Sequence, residues 1–200
     1  GKYDHYDSIY AYKRPLDGQV VWVHAAGKIV REEGSGKILF MYGAYQDITE
    51  RKRNEAAIRD QANFLQALID TIPYPVFYKG PDTRFLGFNR AYEETFGVDR
   101  DDLIGKSVLD LDYLPADDRA AYQAEDEHVI STVGAVQKQM PIPFADGKVH
   151  ETLYYVNGFR RGDGSPGGLV GTFADITPLV EARRAAEEAT RAKSDFLANM

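Results

Sequence analysis

Apolar positions along the chain change their spacing several times, and each change predicts an element. Residues 50–72 contain neither proline nor glycine, and Ile58, Leu65 and Ile72 recur at heptad spacing with Ala62, Leu68 and Ile69 between them. That pattern predicts an amphipathic or coiled-coil helix, N-capped by Thr49 and stopped by Pro73 and Pro75, which cannot continue the hydrogen-bond ladder. A second unbroken run follows Thr177-Pro178. Leu179, Ala186, Lys193 and Met200 share one heptad position in it, Ala182, Ala189 and Phe196 another, and Arg183/Glu187 and Arg184/Glu188 are available as i,i+4 pairs. A parallel dimeric coiled coil is expected there; the alternative is a helix docked on its own domain.

Between these helices the period shortens. Residues 76–79 and 84–89 predict two strands around a Gly80-Pro81-Asp82 turn, followed by short helices at 90–96 and 101–104, a longer one at 116–133, and strands at 136–144, 149–160 and 168–176. Two strands, several helices and three strands make an α+β domain with one antiparallel sheet. Pro141 and Pro143 have the same parity, which assigns their strand to a sheet edge and turns Met140, Ile142 and Phe144 toward the core. The following strand is partly apolar on both parities. Both faces of the sheet are therefore expected to be covered, the outer one by residues 50–72.

One tripeptide occurs at both strand-to-helix transitions. Asp47-Ile48-Thr49 and Asp175-Ile176-Thr177 each close a Gly-containing apolar stretch and open a helical one, about one small domain apart in the sequence. Upstream of each lie an Asp-Gly turn (Asp17-Gly18, Asp146-Gly147), an apolar run and a Gly-rich turn, so both copies read as hairpin, strand, hairpin, strand. The second copy has a long preceding stretch that the first lacks, so the chain is expected to begin inside a domain.

Composition narrows the class. The chain of 200 residues is 44% hydrophobic and 28% charged, an ordinary globular balance, with a net charge of −7 that repels phosphate backbones and anionic lipid. Nucleic acid is not an expected partner. The absence of cysteine excludes disulfides and thiolate chemistry and fits a reducing compartment. No apolar run reaches a membrane span, so these residues are expected to be cytoplasmic without membrane contact, leaving membrane anchoring of a parent protein open.

The residues then match a family. Phe77-Tyr78-Lys79, Phe88-Asn89-Arg90-Ala91-Tyr92, Phe96-Gly97, Leu103-Ile104-Gly105-Lys106, Asp146-Gly147 and Gly171 with Asp175-Ile176-Thr177 resemble, in order and spacing, a PAS domain with its PAC segment. Residues 193–200 resemble the segment before the phospho-acceptor histidine of sensor histidine kinases. The resemblance implies a five-stranded antiparallel sheet with helices on one face, flanked by linker helices. It implies the C-terminal part of a first PAS domain at 1–49, a linker helix at 50–73, a complete PAS domain at 74–177 and an output helix at 178–200. It further implies a homodimer formed through the linker helices and a parent ATP-dependent protein histidine kinase acting with a response regulator. The same modules feeding a diguanylate cyclase, or a small-molecule or flavin-binding PAS module, are the alternatives.

No local nucleophile–base–orienter set, phosphate-binding glycine loop or metal-ligand spacing is present, so these residues are expected to be non-catalytic. His128, in Glu125-Asp126-Glu127-His128, is expected on a solvated helix face rather than at a metal, and Arg160 and Arg161 are expected to be exposed. Asp47, Thr49, Asp175 and Thr177 are the candidate signal-relay residues, with ordinary capping as the simpler role. PAS-like folds imply a ligand pocket between sheet and helices, here lined by Phe88, Asn89, Tyr92, Phe96, Tyr113, Tyr122, Met140, Ile142, Tyr154, Leu169 and Phe173. The alternative is that these side chains fill the core and that Asn89 caps the helix containing Tyr92. Haem is disfavoured because Tyr122 stands where haem-binding relatives carry their histidine. The lack of cysteine excludes photochemical adduct formation and leaves non-covalent flavin or a small metabolite open.

Overall fold

The computed structural model describes residues 3–111 and 114–198, which fall into two compact units divided between Leu65 and Gln66. In the first, strands β1 (Tyr3–Lys13), β2 (Val20–Arg31) and β3 (Ile38–Asp47) form an antiparallel meander. Val21, Val23 and Ala25 alternate into its small core with Ile48 beneath them. Helix α1 (Thr49–Asp70) begins at the end of β3 and runs across the division. Every residue of β3 is exposed, its apolar Phe40 and Met41 included.

The second unit contains the complete sheet. Strands β4 (Val76–Lys79), β5 (Phe85–Phe88), β6 (Ala135–Pro143), β7 (Val149–Arg160) and β8 (Pro166–Asp175) are arranged β5-β4-β8-β7-β6, all antiparallel. Helices α2 (Arg90–Phe96), α3 (Arg100–Leu103) and α4 (Ala116–Thr132) lie between β5 and β6 in sequence, with a 3-10 turn at Val108–Asp110 that the sequence did not predict. Helix α5 (Thr177–Ala198) follows β8. β6 is an edge strand, as its two prolines require.

One face of this sheet carries the core. Phe77, Phe85, Phe88, Tyr154, Val156 and Leu169 from the strands meet Tyr92, Leu103, Val129 and Ile130 from the helices, and Phe96, Tyr122, Met140 and Phe173 pack around them. The expectation that both sheet faces are covered is corrected. Tyr155 and Phe159 of β7 and Val170 of β8, on the parity opposite the core, each remain 41% exposed, so that face is only partly covered. Gly168 shows how closely β8 approaches β4. Its φ is +134°, and a Cβ at that position would lie 2.0 Å from the Lys79 carbonyl oxygen, so only glycine fits.

Candidate functional site

The two Asp-Ile-Thr segments build the same joint. In the first, Asp47 Oδ1 accepts the Thr49 amide at 2.9 Å, and Thr49 Oγ1 accepts the Trp22 amide of β2 at 2.9 Å. The Ile48 amide donates to the Trp22 carbonyl at 2.9 Å. In the second, Asp175 Oδ1 accepts from Thr177 N at 2.9 Å, Thr177 Oγ1 accepts from Glu151 N at 2.9 Å, and Ile176 N donates to Glu151 O at 2.8 Å. Each joint thus bonds the start of its helix to the strand beside it.

These bonds correct the expected capping. Ile48 and Ile176 hold the cap positions, their carbonyls accepting from Lys52 N and Val180 N at 2.9 Å each, while the preceding aspartate takes the first helical amide. Each threonine hydroxyl oxygen accepts from the sheet while its hydrogen faces the joint's aspartate. Hydrogen bonds from the Thr49 hydroxyl and amide hold Asp47 below the usual carboxylate range. Partial burial acts against the same shift at Asp175, but the Thr177 bonds and then His150 outweigh it and keep its carboxyl low.

His150 distinguishes the second joint from the first. Its Nδ1 lies 2.8 Å from Asp175 Oδ2 and its Nε2 lies 3.1 Å from Asp146 Oδ2, in the turn between β6 and β7. The ring stacks on Phe144 with centroids 4.2 Å apart and planes at 12°. Phe144 meets Phe96 at 5.8 Å and Phe96 meets Phe173 at 5.4 Å, so aromatic contacts run from the core to the joint. The sequence offered no such assignment, since Asp146, His150 and Asp175 become neighbours only through the hairpin and the β7–β8 pairing.

The core holds a second constellation that sequence reasoning missed. Lys79 Nζ contacts Asp126 Oδ2 at 2.5 Å, with side chains only 4% and 3% exposed. Lys79 also lies 4.4 Å from the centroid of Phe85. Burial favours the neutral form of both partners, lowering the lysine and raising the aspartate, and their mutual attraction opposes this. Beside them Lys138 reaches Glu125 Oε2 at 2.7 Å and lies 5.2 Å from the Tyr154 ring and 5.6 Å from that of Tyr122. Burial, then Glu125 and Asp126, push the Tyr154 phenol far up. Glu125 Oε1 is buried without a hydrogen-bond partner among the described residues.

Of the expected pocket residues, Phe88, Tyr92, Phe96, Tyr154 and Phe173 make mutual ring contacts, from 4.6 Å at Tyr92–Phe96 to 6.4 Å at Tyr92–Phe173. Leu169 is fully buried among them, Met140 and Tyr122 pack at their margin, and Ile142 is half-buried opposite His150. Asn89 is engaged by the chain itself: its Oδ1 accepts from Tyr92 N and Val76 N, and its two Nδ2 hydrogens are shared among the carbonyls of Ile69, Ile72 and Tyr74. Tyr113 lies outside the described residues. His128, Arg160 and Arg161 are exposed, as expected.

The model of the PAS fold matches residues 69–181, which span β4–β8, their helices and the second joint. The chain belongs to the PAS-fold family. Over 166 residues this PAS protein is 32% identical to the virulence sensor protein BvgS of Bordetella pertussis, an alignment covering 78% of this chain and 13% of the relative. It is 30% identical over 146 residues to the aerobic respiration control sensor protein ArcB of Escherichia coli, covering 70% and 18% respectively. The chain thus spans less than a fifth of either curated relative. The solved PAS domain of Bordetella pertussis BvgS superposes with a TM-score of 0.54 at 22% identity, covering 66% of this chain and 98% of that domain. The second unit is therefore a PAS sensory domain related to those of sensor proteins. Among the described residues, no helix is long and apolar enough to cross a membrane.

Proposed function

We propose that these residues form the sensory and dimerising input region of a sensor histidine kinase, in which PAS signals pass through the Asp-Ile-Thr joints into the helices that follow. The observation that carries this is the recurrence of one hydrogen-bonded joint at both sheet-to-helix transitions. A helix bonded at its first turn to the adjacent strand must respond when that strand shifts. Such a device needs only two states separated by a few kcal/mol.

The first unit fits the C-terminal part of a preceding PAS domain. β1-β2-β3 repeats the meander β6-β7-β8, but β8 is also paired with β4, whereas among the described residues β3 has no second neighbour. That free edge is where a β4-like strand of the first domain would pair. Helix α1 then acts as linker, with Ile58 68% and Phe64 62% exposed, and α5 as output, with Leu179 69% exposed. These uncovered apolar positions support packing against the same helices of a second chain.

The relay is tested in the parent kinase. Asp175→Ala removes the acceptor of the Thr177 amide and the partner of His150, and is expected to alter basal autophosphorylation or its response to signal at least severalfold. The thermal midpoint should fall by only a few degrees, since a cap is worth about 1 kcal/mol. Output and response that match the wild type would sink the relay.

A ligand-binding role for the same domain is supported by one observation, the buried Glu125 Oε1, which among the described residues has no partner within ordinary hydrogen-bond geometry although the Tyr154 hydroxyl interacts with the same carboxyl. A small metabolite with a hydroxyl or amine donor would complete that cluster more naturally than a flavin, because the aromatic core is closely packed. Native mass spectrometry of the purified chain should show such a mass released on denaturation. A bare polypeptide mass would leave the relay without this ligand.

A further inference from the structure

Among the described residues, the second joint contains a group that the first does not. Glu151 and Trp22 occupy equivalent places, each donating its amide to the joint threonine, and the residues before them are His150 and Val21. Val21 is buried and apolar. His150 presents both ring nitrogens to carboxylate oxygens, Nδ1 to Asp175 and Nε2 to Asp146. A neutral imidazole donates one hydrogen and accepts at its other nitrogen, so in this arrangement one nitrogen lone pair would face an anion. Only the imidazolium satisfies both contacts.

We propose that His150 is a proton-operated latch on the second joint, holding Asp175 when protonated and releasing one of its two aspartates when neutral. This regulation rests on the relay reading of Asp175. The groups facing the ring come from each element around it. The turn supplies Phe144, uncharged, and Asp146, with Lys148 acting on the latter; β8 supplies Asp175; β6 supplies the uncharged Ile142 opposite the histidine. Glu151, next in β7, has its own partner in Gln139 at 3.4 Å. Among the described residues the charged groups acting on the ring are Asp146 and Asp175, both anionic, so the immediate field favours the proton.

The sign follows from those contacts. The Asp146 hydrogen bond, set against partial desolvation, and then Asp175 raise His150 above its ordinary value of 6.5. The carboxyls of Asp146 and Asp175 are held below theirs. Stability contributed by the latch is therefore complete below the unfolded histidine value and is lost as pH rises through the folded one. Toward acid it persists until the two carboxylates protonate. Mild alkalinisation opens the latch.

The test is a pH titration of the isotopically labelled 200-residue chain by NMR, with His150→Gln used to assign the ring signals. The expected result is a His150 midpoint above 6.5, with the Ile176 and Thr177 amides shifting at the same midpoint and those of Ile48 and Thr49 unmoved by it. His150→Gln should abolish that shift. Asp146→Asn, in an exposed turn, should lower the midpoint without unfolding the chain. A midpoint at or below 6.5, or joint amides indifferent to it, overturns the latch whatever the parent kinase does. If the amides follow His150 while output from the parent is the same on both sides of the midpoint, the latch stands and the relay reading fails.

Discussion

Replacing Asp126 alone with leucine should destabilise the PAS domain by about 3–5 kcal/mol, because Lys79 would remain charged in a nearly closed core without its counter-ion. Lys79→Met alone should cost a comparable amount by stranding the carboxylate beside Glu125 and Glu127, which already disfavour its charge. The double variant Lys79→Met/Asp126→Leu should return to near wild-type stability or exceed it, since two buried charges give way to apolar volume. The single variants should also respond to pH in opposite directions. Without Lys79, the folded value of Asp126 is raised further above its unfolded one, so stability recovers as pH falls and the carboxyl takes up its proton. Without Asp126, the folded value of Lys79 is depressed, so stability recovers as pH rises and the amine loses its proton. Urea unfolding followed by circular dichroism measures these differences. Fluorescence of Trp22, the only tryptophan, reports the first unit and should show an unchanged transition. A double variant as unstable as either single one would mean that the charges do more than neutralise each other.

Much of this fold is legible in the order of apolar periods, and the exceptions have physical causes. Strand β7 runs from Val149 to Arg160, the limits expected from its composition, and the same-side prolines Pro141 and Pro143 lie on an edge strand. The buried ion pair was missed because charged residues were assigned to solvent by type. The signal was present: Lys79 has the parity of Phe77 in β4, and Asp126 shares a helical face with Tyr122, Val129 and Ile130. Reading parity before polarity would have found both. The His150 latch has no such local signal, because its carboxylates reach it through a turn and a cross-strand pairing. The joint threonines were misassigned as caps because Asp47 and Asp175, two positions earlier, already satisfy the helix amides. The 3-10 turn at Val108–Asp110 is too short to show any period.

Asn89→Ala should be the most damaging single polar substitution in the domain. The side chain is fully buried and all its hydrogen-bonding capacity is taken by backbone: Oδ1 accepts from Val76 N at 2.8 Å and Tyr92 N at 3.1 Å, and the two Nδ2 hydrogens are shared among the carbonyls of Ile69 at 3.1 Å, Ile72 at 3.0 Å and Tyr74 at 2.8 Å. It thus ties the end of α1 and the approach to β4 to the start of α2. Nearby bonds assist: Gln66 donates to the Phe88 carbonyl at 3.2 Å, and Asp70 accepts the Arg90 amide at 2.8 Å. Alanine leaves the Val76 amide and the Ile72 and Tyr74 carbonyls without this partner, while Tyr92 N keeps the Asn89 carbonyl and Ile69 O keeps the Ile72 amide, so at about 1–3 kcal/mol for each part-buried group a total loss of about 4 kcal/mol is expected. Asn89→Asp keeps both acceptor contacts but turns an anionic oxygen toward three carbonyls, and should be no better. Hydrogen exchange distinguishes this specific strap from general loosening. In Asn89→Ala the amides of Val76 and Tyr92 should lose protection by a larger factor than those of Tyr154 and Val156 in the sheet. Uniform loss across these four amides would instead mean that Asn89 supports the whole core and does not selectively fasten α1 to it. Selective loss would identify this residue as the fastening between the end of α1 and the start of α2.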